Sequence, residues 1–447
     1  MRGFLRFAFL RYRSLPPLVN TRVAAFEIGL CLRRMSSSNI TSDSQTLQGP
    51  PDEESLLHYV PGGYHPTNLG DILDERYVIK RKLGWGQYST VWLAEDPQSQ
   101  RHVAIKILTG EATDARQLHE LAFLQHLSCS HPEHPGFSRV VRLLDSFHHV
   151  GPYGSHLCIV TEVLGESVQW LSQYYRGGRF HPVVVKDIIQ QVLLGLDYLH
   201  QSNIIHTDLK PDNFLIELDD VETFIQEAID DIPPVVYPSV TNADGMVLSY
   251  VKSQPIPVRF EDVQRQAKLK VKITDLGVAC WADKIDEHFT DMVQPSALRA
   301  PEVFLGAGWD SKIDIWNVGC LVHEMITGDP FLPVSLMDSE AEPSQQLTVM
   351  MIRLGPMPSD LIVRGKYSRL YFGPDGTFMS SLDYPGVPTL LQKLDSIYRE
   401  RWYPEEVELF KSFMASALEM DPKDRPSAAE LAEHEWFRSM FEFKKNF

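Results

Sequence analysis

The sequence predicts an α+β protein of two lobes, a small β-rich N-lobe over residues 64–164 and a larger α-helical C-lobe over residues 165–438. Three observations carry this reading. The chain has 447 residues, 43% hydrophobic and 23% charged, a composition ordinary for a folded protein but a length too great for one core. Between Arg76 and Leu164 the pattern is strand-rich, broken by one stretch of helical spacing around Glu120. From Val183 onward, Ile188, Ile189, Val192, Leu193, Leu196 and Leu199 recur at the period of a helix, and helical spacing returns after Glu302.

The ends differ from the body. Residues 1–34 hold seven Arg against one acid, Glu27. Arg-rich, acid-poor and interleaved with Phe and Leu, they read as a mitochondrial presequence, while Met35-Ser36-Ser37-Ser38 reads equally as the true start, so the leader is set aside from fold reasoning. The expected location is cytoplasm or nucleus, or the mitochondrion if the presequence is real. Residues 35–63, rich in Ser, Gln, Pro and acids, read as a disordered linker, and residues 439–447 as a short tail. The net charge of −17 sits in the body, because the leader is basic; such a surface repels nucleic acid and favours basic protein partners. Cys31, Cys129, Cys158, Cys280 and Cys320 form no C-x-x-C pair, so neither a zinc site nor a disulfide framework is indicated. No run approaches the roughly eighteen apolar residues that a bilayer crossing needs. A monomer is expected.

The chemistry concentrates in His206-Thr207-Asp208-Leu209-Lys210-Pro211-Asp212-Asn213. An Asp five residues before an Asn suits phosphoryl transfer: Asp208 would orient a hydroxyl and accept its proton, and the Asn213 carbonyl oxygen would bind Mg²⁺. Lys210 would lie against the transferred phosphate. Asp, Lys, Pro and Asn also form ordinary surface turns, so the loop needs partners. They are present in chain order. Leu83-Gly84-Trp85-Gly86-Gln87-Tyr88-Ser89-Thr90-Val91-Trp92 is a G-x-G-x-x-S-x-V run whose glycines let backbone close over phosphates, with Ser89 in place of a third glycine. Val103-Ala104-Ile105-Lys106 is a strand whose Lys106 should reach the α- and β-phosphates and pair with a helix Glu; Glu120, inside the helical spacing of Gln117–Leu124, is the best partner. Asp275-Leu276-Gly277 follows the strand Val271–Thr274, and Asp275 would hold the metal that bridges the phosphates.

Leu157–Leu164 reads as a buried strand running into a hinge whose backbone takes the adenine edge, with the small Thr161 at the back of the pocket. Residues 217–269, acidic, then Pro-rich, then basic, lack strong periodicity and read as an insertion or disordered segment without catalytic residues. Asp314 should brace the catalytic loop from beneath, and Arg425 should pair with Glu302, which closes the segment in Ala300-Pro301-Glu302.

On these residues the chain resembles the eukaryotic protein kinases, and more narrowly the SR-protein kinases, which phosphorylate serines of Arg/Ser-rich splicing factors. The narrower likeness rests on Gly62-Gly63-Tyr64-His65-Pro66, Leu83-Gly84-Trp85-Gly86, His206-Thr207-Asp208, Asp275-Leu276-Gly277 with Ala279-Cys280-Trp281, and Gly365-Lys366-Tyr367-Ser368-Arg369. It implies the bilobal eukaryotic protein kinase fold, ATP and Mg²⁺, and protein substrates that are basic or Arg/Ser-rich. The expected catalytic residues are Asp208, Lys210, Lys106 and Glu120, with Asn213 and Asp275 on metal. The nucleotide site would comprise Leu83, Gly84, Gly86, Ser89, Val91, Ala104, Lys106, Thr161, Glu162, Leu164 and Leu215. A scaffold that keeps the fold without chemistry is the alternative, and no catalytic position is degenerate in its favour.

Three features bear on regulation and substrate. Val278 stands where the family usually has Asn. Thr207 stands where kinases switched by activation-loop phosphorylation carry an Arg, so modification of Thr290 or Ser296 would have no cation to grip, and constitutive activity is expected. In the family, a helix before a Leu-Gly-Pro turn bears acids that dock a basic segment. Here those positions fall on Gln346 and Arg353, which implies weak docking of Arg/Ser repeats, with Arg353 either repelling the segment or merely solvated.

Overall fold

The β-branched and aromatic residues between Ile72 and Thr161 alternate between two faces, and in the computed structural model they pair into one antiparallel sheet. Residues 52–115, 119–241, 245–258, 269–284, 292–332, 343–380, 387–398 and 404–438 are described. The leader and the tail lie outside them, as do Thr290 and the first residues of the Gln117–Leu124 stretch. The strands are β1 (Ile72–Leu73), β2 (Tyr77–Gly86), β3 (Ser89–Asp96), β4 (Arg101–Leu108), β5 (Leu143–Gly151) and β6 (Gly154–Thr161), in the order β1-β2-β3-β4-β6-β5.

Alternation gives the sheet two different faces. Val103, Ile105 and Ile107 of β4 point outward with Tyr77, Ile79 and Trp92, whereas Ala104 points inward and joins the large core shared with the C-lobe. After β4 come two helices, α1 (Gly110–Asp114) and α2 (Glu120–Cys129). Glu120 is the first residue of α2, not an interior one.

The C-lobe is organised around a long helix. After α3 (Val168–Ser172), α4 runs from Pro182 to Gln201. Pro182 starts it without loss, because the first helical N–H has no partner anyway, and His181 caps it by accepting from Val183 N. Its apolar stripe is fully buried, and it ends where Asn203 turns into the left-handed region at φ +64°. Gly195 lets α4 approach Ile273, the last residue of β11 (Val271–Ile273), since a Cβ there would sit 2.9 Å from the Ile273 methyl. Short strands frame the loop between the lobes: β7 (Ile204–Ile205) pairs β12 (Cys280–Trp281), and β8 (Phe214–Ile216) pairs β11. Helices α6 (Pro301–Leu305), α7 (Lys312–Thr327) and α8 (Pro343–Leu354), with five shorter or later ones to Arg438, complete the lobe. Among the described residues no helix is long and apolar enough to cross a membrane.

Two expectations are corrected. Residues 52–63, assigned to a disordered linker, fold onto the N-lobe: Glu53, Glu54, Leu56 and Tyr59 are buried, and both carboxylates meet the Lys82 ammonium on β2, Glu53 at 2.8 Å. Acid-rich composition misled here because the acids are neutralised by a buried lysine from elsewhere in the chain. The insertion is likewise ordered where described. It forms α5 (Val221–Asp231) and the hairpin β9 (Val240–Thr241) and β10 (Val247–Leu248). Arg81 donates to the carbonyls of Ala228 and Ile232, and the Glu222 carboxylate accepts from His102 N at 2.8 Å. Val251 enters the outer apolar layer of the sheet.

Candidate active site

Sheet register gathers the nucleotide-site residues before any side chain is considered. Gly84 on β2 lies opposite Val91 on β3, which lies opposite Lys106 on β4; Ala104 lies opposite Thr161 at the end of β6. Leu83 and Gly86 flank this row on β2, and Ser89 opens β3. Leu164 is buried just beyond Thr161, and Gly165 N–H donates to Ile216 O at 2.8 Å, which sets the hinge beside Leu215 on β8. The Glu162 side chain faces the other way, accepting from Lys272 Nζ at 2.8 Å and Arg142 N at 2.9 Å. Its backbone N–H donates to Arg142 O at 3.3 Å, so of its polar groups only the carbonyl is left for a ligand.

Three residues far apart in sequence meet at one ammonium. Lys106 Nζ lies 2.8 Å from Glu120 Oε1 and 2.8 Å from Asp275 Oδ1. Burial works against the charged lysine, but the two carboxylates outweigh it and hold the ammonium well above the ordinary lysine range. Lys106 in turn holds the Asp275 carboxyl well below its ordinary range, while burial pushes Glu120 up. Asp275 adopts φ +62°, and Gly277 packs so closely that a Cβ would lie 3.1 Å from Asp275 Oδ1. That contact explains the glycine two residues after the aspartate.

The catalytic loop is fixed from several sides. Lys210 Nζ donates to Asp208 Oδ2 at 2.7 Å, and Asn213 Nδ2 donates to Asp208 O at 2.8 Å, which leaves the Asn213 carbonyl oxygen directed elsewhere. His206 Nδ1 accepts from Asp208 N at 3.3 Å while its Nε2 meets Thr274 O at 3.1 Å. Asp314, at 0% exposure, accepts from His206 N at 2.9 Å, Thr207 N at 3.0 Å and His200 Nε2 at 2.9 Å. Thr207 sits at φ +67°, a strained conformation for a β-branched residue, and its hydroxyl donates to Val278 O at 2.8 Å. Arg425 and Glu302 form the expected pair, both at 0% exposure and 2.8 Å apart.

Asn213 and Asp275 offer only oxygen donors, the set a magnesium ion prefers. No group of three or more His, Cys, Asp or Glu that could hold a metal occurs among the described residues. An ion shared between one or two protein oxygens and substrate phosphates needs no such group.

The segment that would face a protein substrate is held by amide side chains, which sequence reasoning missed. Gln294, at φ +69°, donates to Ile313 O and Asn317 Oδ1 (both 2.9 Å) and accepts from Ala300 N at 2.9 Å. Asn317 donates to Leu298 O at 2.6 Å, and Arg299 donates to Gln294 O at 3.0 Å. On α8, Gln346 is 1% exposed and donates to Ser296 O at 3.0 Å. Arg353 is not a solvated helix residue: its guanidinium lies 5.1 Å from the Phe331 ring centre beside His323.

The protein kinase domain family matches residues 77–229 and 251–437, and residues 230–250, within the stretch read as an insertion, fall outside it. The serine/threonine-protein kinase SRPK of Physarum polycephalum is 36% identical over 405 residues, 86% of this chain and 91% of that protein. Protein kinase dsk1 of Schizosaccharomyces pombe is 30% identical over 87% of this chain and 85% of its own. SRSF protein kinase 3 of Homo sapiens is 27% identical over 88% and 92%. A solved kinase domain superposes with a TM-score of 0.58 at 22% identity, covering 84% of this chain and 98% of that one.

Proposed function

The chain belongs to the protein kinase family, and from that premise we propose how its residues transfer phosphate and to what. It is a serine/threonine protein kinase of the SR-protein kinase type. ATP is the proposed donor, and Asn213 and Asp275 are the proposed holders of Mg²⁺, which would supply charge neutralisation at the phosphates. Asp208 takes the proton of the acceptor hydroxyl. Lys210, bonded to Asp208, is placed to turn to the transferred phosphate, and Lys106 grips the α- and β-phosphates while Glu120 holds it. The observation that carries the reading is the Glu120–Lys106–Asp275 contact. It brings the small lobe, its helix and the metal-binding segment into one charged cluster, which a partner-binding scaffold has no need to maintain.

For the substrate we propose serines flanked by basic residues, held near the catalytic loop and not on α8. Asp212 and Glu324 support this. Asp212 is exposed next to Asn213, and its charge reaches Glu324 and raises that carboxyl beyond the effect of burial; a bound guanidinium would relieve that repulsion. On α8 neither Gln346 nor Arg353 offers an acid, and both are turned inward, so long Arg/Ser repeats gain nothing there.

The test is a peptide-library phosphorylation profile of wild type beside Asp208→Asn, which should transfer about 10²- to 10⁴-fold more slowly. Preference for Arg near the acceptor serine, with an Arg/Ser-repeat peptide binding no tighter than a short basic one, supports the reading. Near-normal activity of Asp208→Asn removes that residue from the mechanism. Tight repeat binding that Gln346→Asp with Arg353→Glu fails to strengthen overturns the α8 argument.

A further inference from the structure

The motif Gly62-Gly63-Tyr64-His65-Pro66 lies ahead of the residues that match the kinase family, and no step above uses it. It is a junction of three parts of the small lobe. Gly62 N–H donates to Tyr153 O at 3.1 Å in the β5–β6 turn, while Gly62 O and Gly63 O accept from Glu111 N at 2.7 Å and Gly110 N at 3.1 Å at the start of α1. Both glycines are required there. Gly62 has φ +83°, and a Cβ on Gly63 would fall 1.9 Å from His58 O. Gly110 must lack a side chain as well, since its Cβ would lie 2.9 Å from the Gly62 Cα.

Tyr64 extends from this junction to the nucleotide-covering loop. Its hydroxyl donates to Gly86 O at 2.7 Å and approaches Gln87 O at 3.2 Å. Burial, reinforced by Glu54, pushes the phenol far above its ordinary range, so it stays a donor. The ring belongs to a cluster with Leu56, Tyr59, Tyr153, Leu248 and Tyr250, beside the outer layer of the sheet that contains Val251. In a trans peptide the N–H points opposite the preceding carbonyl. With the Gly86 and Gln87 carbonyls turned to the Tyr64 hydroxyl, the N–H groups of Gln87 and Tyr88 are directed away from it. The anchor is firm at both ends: Lys82 on β2 is gripped by Glu53 and Glu54, Glu53 also accepts from Ser253 N at 2.6 Å, and Trp85 Nε1 donates to Asp52 O at 3.1 Å.

We propose that Tyr64 is a positioning residue for nucleotide binding, its hydroxyl fixing the loop peptides so that the Gln87 and Tyr88 N–H groups face the phosphates. This rests on the pocket being the ATP site.

Tyr64→Phe removes one hydroxyl from a place the nucleotide does not touch. The Michaelis constant for ATP should rise ~3- to 10-fold, the range spanned by one buried hydrogen bond, while kcat holds or rises because ADP leaves a looser loop sooner. Hydrogen exchange of nucleotide-free protein should quicken at residues 84–89. Tyr77→Phe, which loses a hydroxyl bonded to Asp145 at 2.7 Å, should change neither quantity. An ATP constant and an exchange profile both unchanged by Tyr64→Phe overturn the assignment, as does an equal effect from Tyr77→Phe. If wild type itself fails to bind ATP, the reading of the pocket falls instead, and exchange at 84–89 still decides whether the tether exists.

Discussion

Replacing Asp314 by Asn is expected to cripple catalysis while sparing nucleotide binding. The aspartate is fully buried and accepts three hydrogen bonds, two from consecutive catalytic-loop amides and one from His200. Asparagine has the same shape but one acceptor, and its NH₂ must face at least one N–H. An orphaned buried donor costs about 1–3 kcal/mol, and the surviving bonds lose the share that came from charge, about 1 kcal/mol each. Thr207 meanwhile keeps a left-handed conformation that costs about 1–2 kcal/mol and that those bonds held in place. The loop conformation is thus disfavoured by roughly 3–5 kcal/mol, and each 1.4 kcal/mol is tenfold in population. We expect kcat to fall at least ~10²-fold in a phosphate-transfer assay, since ångström-scale misplacement of a catalytic group has that effect. ATP affinity by calorimetry should stay within about threefold, because the Lys106 contacts do not involve Asp314. Adding Thr207→Gly should restore part of the rate, glycine taking that φ without strain. An Asp314→Asn enzyme with kcat near wild type would refute the bracing argument.

Two further outcomes are expected. Phosphatase-treated protein, or Ser296→Ala, should keep kcat within about twofold of untreated wild type, because Gln294, Asn317 and Arg299 hold the substrate-facing segment without a phosphate; an inert protein that wakes on modification of Thr290 or Ser296 would show the opposite. His65 should make the small lobe acid-sensitive. Burial, then His149 and His156 packed edge-on, lower it from 6.5 to about 3. A histidine lowered on folding contributes stability that is complete above pH 6.5 and lost as pH falls towards 3, about 2 kcal/mol by pH 5. Melting curves from pH 7 to 5 should fall more steeply for wild type than for His65→Asn, and parallel slopes would exclude the effect.

The sequence made the chemistry legible because catalytic loops carry their function in fixed spacing. Asp208, Lys210 and Asn213 share eight residues, and Lys106 and Asp275 each follow a recognisable strand. Asp314 and Arg425 were foreseen on the same grounds. What stayed hidden depends on partners distant in the chain. Glu53 and Glu54 look like solvated linker acids until Lys82 is folded against them. Val221, Phe224, Ile225, Ala228 and Ile229 do recur at helical spacing and all pack on the core, but the acids between them make the stretch read as one polar insertion. Gln294 and Asn317 act through backbone carbonyls that no motif specifies, and Arg353 reads as a surface charge until Phe331 is placed beneath it.

The path of the chain through α5 and Val251 has a mechanical consequence. Besides the hinge at 162–165 and the core they share, the lobes are joined once more, because a segment sequentially inside the large lobe bonds to Arg81 and His102 on the sheet of the small one. A single link is a swivel, free to twist, slide or splay; a separate attachment limits that freedom. Opening of the cleft must then carry this attachment with it, so that twist and lateral shear are resisted as well as splaying. Exchange of spent nucleotide must work against that attachment or lift the loop at 84–89, which Tyr64 and Trp85 hold in their turn.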